Sequence, residues 1–360
     1  MSMLFRGALL SLACFALIPL QAAAWDRGPV ELFATLPDGV RLPEGITANP
    51  ANGDVFVGTF DGGADNKLLR FDRQGRLQAS RSFGPTPLLG LAFNPADGKI
   101  YIAAVGDFVG TGSRIERVAA NLSGPSEVVA QIPAVGAPAP RLVSNPDGTT
   151  DTITFQNAAR VPNGLAFDGA GNLYASDSFQ GAIFRVANAA SCAPCTVTTL
   201  AHDPLLATAG FPPFGANGIA VDDADNALFV ANTGDDRVLK VNKSSGAVSV
   251  FAESINGADG VAFDSQGRLW VAANQADELV ALDAQGKVVA KRGDFEGIRR
   301  DGSPRGLLFP ASLVILGDEI FVTNLALPLN ATTGDEPEEQ VTRYTVSRIR
   351  IPGADRANAK

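Results

Sequence analysis

Histidine occurs once in this chain of 360 residues, at position 202, and cysteine three times. A single imidazole excludes a two-histidine proton relay and a histidine-built zinc site. Three thiols cannot furnish a four-cysteine zinc site either. No stretch carries apolar residues at helical spacing over several turns, which excludes bundles and helical repeats. A GxSxG elbow, a Walker loop and a dinucleotide fingerprint are all missing, so the usual settings for serine-esterase, P-loop and Rossmann chemistry are absent. Acidic residues number 38 against 29 basic ones, for a formal charge of −9, and no basic stripe offsets them. Nucleic acid and anionic membrane surfaces are therefore not expected partners.

Glycine (38) and proline (23) are plentiful, and 46% of residues are hydrophobic. That balance favours a large core made of many short strands joined by tight turns. Residues 1–24 read as an export signal: Arg6 is the basic start, Gly7 to Leu20 is apolar, and Ala22-Ala23-Ala24 is a small-residue cleavage site. Fourteen apolar residues are too few to span a bilayer, so no membrane span is expected after cleavage. The expected location is periplasmic or secreted, with residues 25–360 forming one domain. Cleavage removes Cys14 and leaves Cys192 and Cys195, which in an oxidising compartment read as a small local disulfide. A redox role would need a strand-to-helix setting, and this pair sits in a Ser/Ala/Pro turn between strands.

One cassette recurs: a head residue, Gly, apolar, Ala, apolar, Asp, then a Gly/Asn turn and a second apolar strand. It runs from Asn163-Gly-Leu-Ala-Phe-Asp, from Asn217-Gly-Ile-Ala-Val-Asp and from Asp259-Gly-Val-Ala-Phe-Asp, and a variant opens at Glu44-Gly-Ile-Thr-Ala-Asn. Leu89 and Ala311 head two weaker copies, and the six heads are spaced 42 to 74 residues apart. Each interval holds about four strands. In the fourth these are Gly218–Val221, Ala227–Ala231, Val238–Val241 and Val248–Phe251. Four strands in each of six repeats predict an all-β, six-bladed propeller of antiparallel blades. An open ring would leave unpaired strand edges. Val30–Leu36 is expected to close it by lying beside Gln340–Val346 in the last blade, and the tail from Gly353 to fray.

The first strand of each blade begins at one end of the central channel, so the heads form a ring there. Counting back from each hairpin turn puts Asp177 opposite Asn163, Asn232 opposite Asn217, Asn274 opposite Asp259 and Thr59 opposite Glu44, as a second ring. The long loops near 132–162, 206–216 and 325–339 cover the same face. Asp107 and Phe108, with Phe211 and Phe214 of the Phe-Pro-Pro-Phe run, lie in loops over the mouth. Each alone reads as loop packing; together they suggest an apolar lid with one polar contact for a substrate. His202 falls on an outer strand or its edge, far from the channel, so a Ser-His-Asp triad is not expected.

Glu44, Asn163, Asn217 and Asp259 supply two carboxylates and two amide carbonyls. Such hard oxygen donors suit Ca²⁺, with Mg²⁺ or Mn²⁺ as alternatives. Two carboxylates crowded together repel one another unless a cation sits between them. Heads of this kind can also serve simply as turn residues that satisfy the backbone.

These motifs resemble the SMP-30/gluconolactonase family of regucalcin-like calcium-dependent propellers, over Pro43 to about Tyr344. Leu42-Pro43-Glu44-Gly45 matches the family's metal-binding Glu motif, Pro162-Asn163-Gly164-Leu165 its Asn motif, and Asp259-Gly260 ahead of Gly267–Val271 its Asp motif. Asn217 resembles the additional Asn ligand of paraoxonase-like members. The resemblance implies a metal-dependent hydrolase of a small lactone or related ester, with Asp259 also acting as base toward water. The Arg/Asn pair with which family sugar lactonases hold substrate has no match. The segment Asp225–Val238 is also similar to an NHL repeat, which implies instead a binding propeller whose metal, if any, is structural.

Overall fold

A computed structural model describes residues 25–63, 65–108, 111–156, 158–222, 224–330 and 334–353. The expected export signal, Cys14 and the end of the chain after Gly353 lie outside these. Six four-stranded antiparallel sheets follow one another along the chain. Blade one spans Pro43–Gly84, blade two Leu88–Gln131, blade three Pro162–His202, blade four Ala216–Glu253 and blade five Ala258–Arg292. Blade six takes Pro310–Leu316, Glu319–Asn324 and Thr345–Arg350 from the end of the chain, and Val30–Thr35 from its start. Among the described residues the only helices are three short 3-10 turns, and none is long and apolar enough to cross a membrane.

The repeat's chemistry explains the sheets. In blades one to five the Asp or Asn that ends the first strand folds back on the turn that follows, an Asx arrangement that fixes the hairpin. Asp264 accepts from the Gln266 and Arg268 amides through Oδ1, while its Oδ2 accepts from Trp270 Nε1 at 2.8 Å. Asp168 does the same with Ala170, Asn172 and the Tyr174 hydroxyl. Apolar residues of neighbouring blades interleave between the sheets: Trp270 and Leu279 of blade five pack with Leu313 and Ile320 of blade six. In blade four the strands are Ala216–Val221, Ala227–Asn232, Arg237–Asn242 and Val248–Glu253, one or two residues longer than the apolar runs indicated.

Ring closure uses the expected N-terminal segment against a partner a few residues further on. Val30 lies opposite Ile349 and Thr35 opposite Thr345, whereas Pro337–Gln340 forms a 3-10 turn. Two short hairpins outside the blades had no sequence signal: Arg141–Ser144 with Thr150–Ile153, and Phe295–Ile298 with Pro304–Gly306.

The first strands meet at the axis more closely than side chains allow. A Cβ on Gly45 would stand 1.8 Å from the Leu89 carbonyl oxygen, and one on Gly90 2.0 Å from that of Asn163. Gly164, Gly218 and Gly260 abut the following blade in the same way, and Ser312 takes the sixth position. The glycine after each head is thus a packing requirement of the hub. Gly45→Ala is expected to cost about 3 kcal/mol or more, because backbone would have to move. Gly62→Ala, with nothing within 4 Å of its Cβ, should stay within about 0.5 kcal/mol. Urea unfolding of the two variants checks this; equal midpoints would remove the hub constraint.

Candidate metal centre

Each first strand carries a β-bulge at its head. Between Pro162 and Leu165 the chain advances three residues while the partner strand advances two, from Asp177 to Ala175. The same irregularity recurs at Pro43/Ile46, Leu88/Leu91, Ala216/Ile219, Ala258/Val261 and Pro310/Leu313. A bulge re-aims a side chain at a strand's rim. Here it turns the heads inward: Glu44, Leu89, Asn163, Asn217 and Asp259 line one cavity at the channel mouth, about 370 Å³ including its opening. Glu44 and Asp259 are each only 4% exposed.

The second ring differs from the count. The bulge pairs the residue before the head, Pro162 or Ala216, with Asp177 or Asn232, and in blades three and four the side chain that meets the head is one position further on, Ser178 or Thr233. Asn163 Nδ2 donates to Ser178 Oγ at 3.0 Å, and Asn217 Nδ2 donates to Thr233 Oγ1 at 2.9 Å. Each hydroxyl spends its own proton on the next blade, Ser178 on the Ala216 carbonyl and Thr233 on that of Ala258, both at 2.8 Å. A hydroxyl whose hydrogen is committed can only accept from the amide, so nitrogen must face it. The amide oxygens of Asn163 and Asn217 are thereby left to the channel.

Asp177 and Asn232 turn away from the cavity. Asp177 accepts from the Val161 and Gln180 amides and from Gln180 Nε2, while Asn232 Nδ2 donates to the Leu205 and Ala207 carbonyls. Both are loop anchors. Thr59, counted opposite Glu44, donates to Asn66 Oδ1. Asn274 does face its head: its Nδ2 donates to Asp259 Oδ2 at 3.0 Å, and it lines the cavity.

Burial pushes the Glu44 carboxyl well above its ordinary range, and the neighbouring Asp259 charge pushes it further the same way. Burial raises Asp259 to about 7, against the opposing pull of the Asn274 amide. Glu44 Oε2, Asp259 Oδ1 and Asn274 Oδ1 are buried with no hydrogen-bond partner. Unpartnered buried oxygens are costly, and an ion or water is the usual reason they persist. Among the described residues no three of His, Cys, Asp and Glu gather at one place. The donor set is instead two carboxylates with amide oxygens, and it fits a hard divalent cation.

The mouth above is apolar. Phe60 and Phe214 line it, 6.4 Å apart between ring centres, backed by Phe108 and Phe179. Phe211 of the same Phe-Pro-Pro-Phe run is 62% exposed, while its neighbour Pro212 lines the cavity. Asp107 is exposed and accepts from the Thr111 amide. Phe60, Phe309, Leu325 and Leu327 were not singled out in the sequence; the available signal was their place just after a second strand or just before a first. Cys192 and Cys195 are joined in a disulfide, Cα atoms 5.1 Å apart. His202 stands on the outermost strand of blade three against the Gly136 carbonyl.

Neither a protein-family model nor a curated protein matches the sequence. Solved structures do. A luciferin-regenerating enzyme superposes with TM-score 0.59 at 14% identity, over 91% of this chain and 96% of its own. Regucalcin from Agrobacterium tumefaciens, titled a calcium-binding protein, gives 0.55 at 18% over 89% and 95%, and a putative gluconolactonase 0.55 at 16% over 90% and 93%. The chain has the regucalcin–gluconolactonase propeller fold. A similar likeness extends to virginiamycin B lyase from Staphylococcus aureus, 0.53 at 13% over 89% and 99%, whose title describes a His-to-Ala variant as catalytically inactive.

The raised carboxyl groups make stability depend on pH in a defined direction. A group whose folded pKa lies above its unfolded value stabilises below the unfolded pKa, and that contribution is lost as pH rises through the folded one. Chelator-stripped protein should therefore melt lower at pH 8 than at pH 5, with the loss centred toward pH 7. Added Ca²⁺ should restore the melting temperature at pH 8, because an ion bound only by the native state stabilises it. Asp259→Asn should flatten the profile. Calorimetric melts that show no pH slope and no response to Ca²⁺ would contradict a strained carboxylate pair.

Proposed function

We propose that this chain is an exported, divalent-metal-dependent hydrolase acting on a lactone or related ester, with Ca²⁺ as the favoured ion and Mg²⁺ or Mn²⁺ as alternatives. The observation that carries the reading is the pair of buried carboxylates, with unpartnered oxygens, at the base of an open cavity. Glu44, Asn163, Asn217 and Asp259 hold the ion, and the free oxygen of Asn274 is a fifth candidate. When bound, the ion supplies Lewis-acid polarisation of an ester carbonyl. Asp259 is the group placed to take a proton from the attacking water: Asn274 fixes its Oδ2, and its Oδ1 has no partner. The aromatic residues at the mouth limit bulk water at the reacting carbonyl. Residues 1–24 and the disulfide support export to an oxidising compartment.

A lyase dependent on histidine fits less well, since the one histidine sits on an outer strand away from the cavity. The competing reading is a non-catalytic binding propeller, favoured by the lack of any lysine or arginine among the described residues of the cavity lining.

Metal analysis of purified protein, alongside Glu44→Gln and Asp259→Asn, separates these. One equivalent of divalent ion is expected in the unmodified protein and little in either variant. Turnover of lactones and esters should vanish with chelator and return with Ca²⁺. An ion that is present without any chelator-sensitive turnover leaves the binding propeller; no ion at all rejects the metal centre. Thr233→Val frees the Asn217 amide to rotate and should weaken ion affinity about 10-fold or more.

A further inference from the structure

Around the axis the polar and apolar residues of the cavity are segregated. The polar lining is Glu44, Asn163, Asn217, Thr233, Asp259 and Asn274. These are the proposed ligands themselves, together with the Thr233 hydroxyl, which is already committed to Asn217 and Ala258. Among the described residues no polar side chain of the lining is left over to recognise a substrate hydroxyl, and no lysine or arginine lines it to meet an anion. The other described lining residues are apolar. Blade six supplies Phe309, Leu325 and Leu327, backed by Leu42 and Leu329. Phe60 follows blade one, the head of blade two is Leu89, and Pro212 with Phe214 closes the arc from the loop before blade four. Leu89, Phe60 and Phe214 share one packed cluster, and Phe309, Leu325 and Leu327 belong to another; these two patches are the apolar wall of the cavity that the ligands share.

From this segregation we infer that the site selects uncharged lactones or esters carrying an alkyl or aryl chain, and discriminates against polyhydroxylated and anionic ones. The inference rests on the hydrolase reading above. A hydroxylated ring pressed against this wall would lose water hydrogen bonds without replacement, and unreplaced polar desolvation is penalised strongly. An alkyl chain gains with each methylene it buries. The cavity is small and open, so only the first few carbons of a chain can be buried and the gain should saturate after them. Phe60, Leu89, Phe214 and Leu327 are the specificity-determining residues, and Leu327, half-buried on its loop, is the one to alter without disturbing the core.

The test measures kcat/KM, in Ca²⁺ buffer with a chelator control, for 4-nitrophenyl acetate, butyrate and hexanoate, and for γ-nonalactone against glucono-1,5-lactone. About threefold more per added methylene is expected from acetate to hexanoate, with γ-nonalactone well above glucono-1,5-lactone. Leu327→Asn should flatten the chain-length slope, its melting temperature serving as the fold control. Chelator-sensitive turnover that favours glucono-1,5-lactone, or shows no chain-length slope, overturns the apolar selectivity and leaves the hydrolase standing. If no substrate is turned over in a chelator-sensitive way, the hydrolase reading fails, and calorimetric binding of the unreactive lactams decides the wall. At least tenfold tighter binding of γ-nonalactam than of gluconolactam upholds it; equal or reversed affinity removes it.

Discussion

Backbone contact at the axis is the constraint on which the other features depend. Five of the six first strands press a glycine against a carbonyl of the next blade, so close that a methyl group would overlap it, and Ser312 holds the sixth position. A ring this tight cannot absorb the residue that precedes each glycine except by bulging the strand, and the bulge points that residue into the channel. The packing rule of the hub and the convergence of the ligands are therefore one fact. Hydroxyls lace neighbouring blades at two levels: Ser176 and Thr323, within second strands, donate to the Asn217 and Glu44 carbonyls, and Ser178 and Thr233, just past them, donate to those of Ala216 and Ala258. The bonds that fix the ring thus also orient the amides facing its centre.

Sequence made the architecture legible because its turns repeat. Asp168, Asp222 and Asp264 each fold onto the hairpin that follows them, and the glycine after each head marks where strands must touch. Both demands are local and recur in register, so four strands per blade and six blades could be counted. The four polar heads could be seen as a set because their places in the cassette are equivalent. The second ring was miscounted in blades three and four because the side chain that meets the head lies one residue past the strand position paired with the residue before it: Ser178 follows Asp177, and Thr233 follows Asn232. In blade five the same holds, Asn274 following Ala273, and there the count had landed on it.

The apolar wall was only partly legible for a different reason. Phe60, Phe309, Leu325 and Leu327 come from three loops and share no motif. What unites them is position in the chain relative to strands, which is where a propeller's loops gather on one face. Phe108 and Phe214 were visible because a large aromatic in a loop is conspicuous, yet Phe108 backs the wall rather than lining it, and Phe211 points outward. Composition suggested a lid; the fold shows a wall built from the connections of blades one, four and six with the head of blade two.

The last blade is shared between the two ends of the chain, Val30–Thr35 lying against Thr345–Arg350. During synthesis, then, the first five sheets can form in order, but the circle stays open until the Thr345–Arg350 strand has emerged. Glu44 is the earliest of the gathered oxygens made, and its blade meets the sixth only then. The pocket is a property of the finished polypeptide, and a chain stopped short of its last strand would carry every proposed ligand without assembling them.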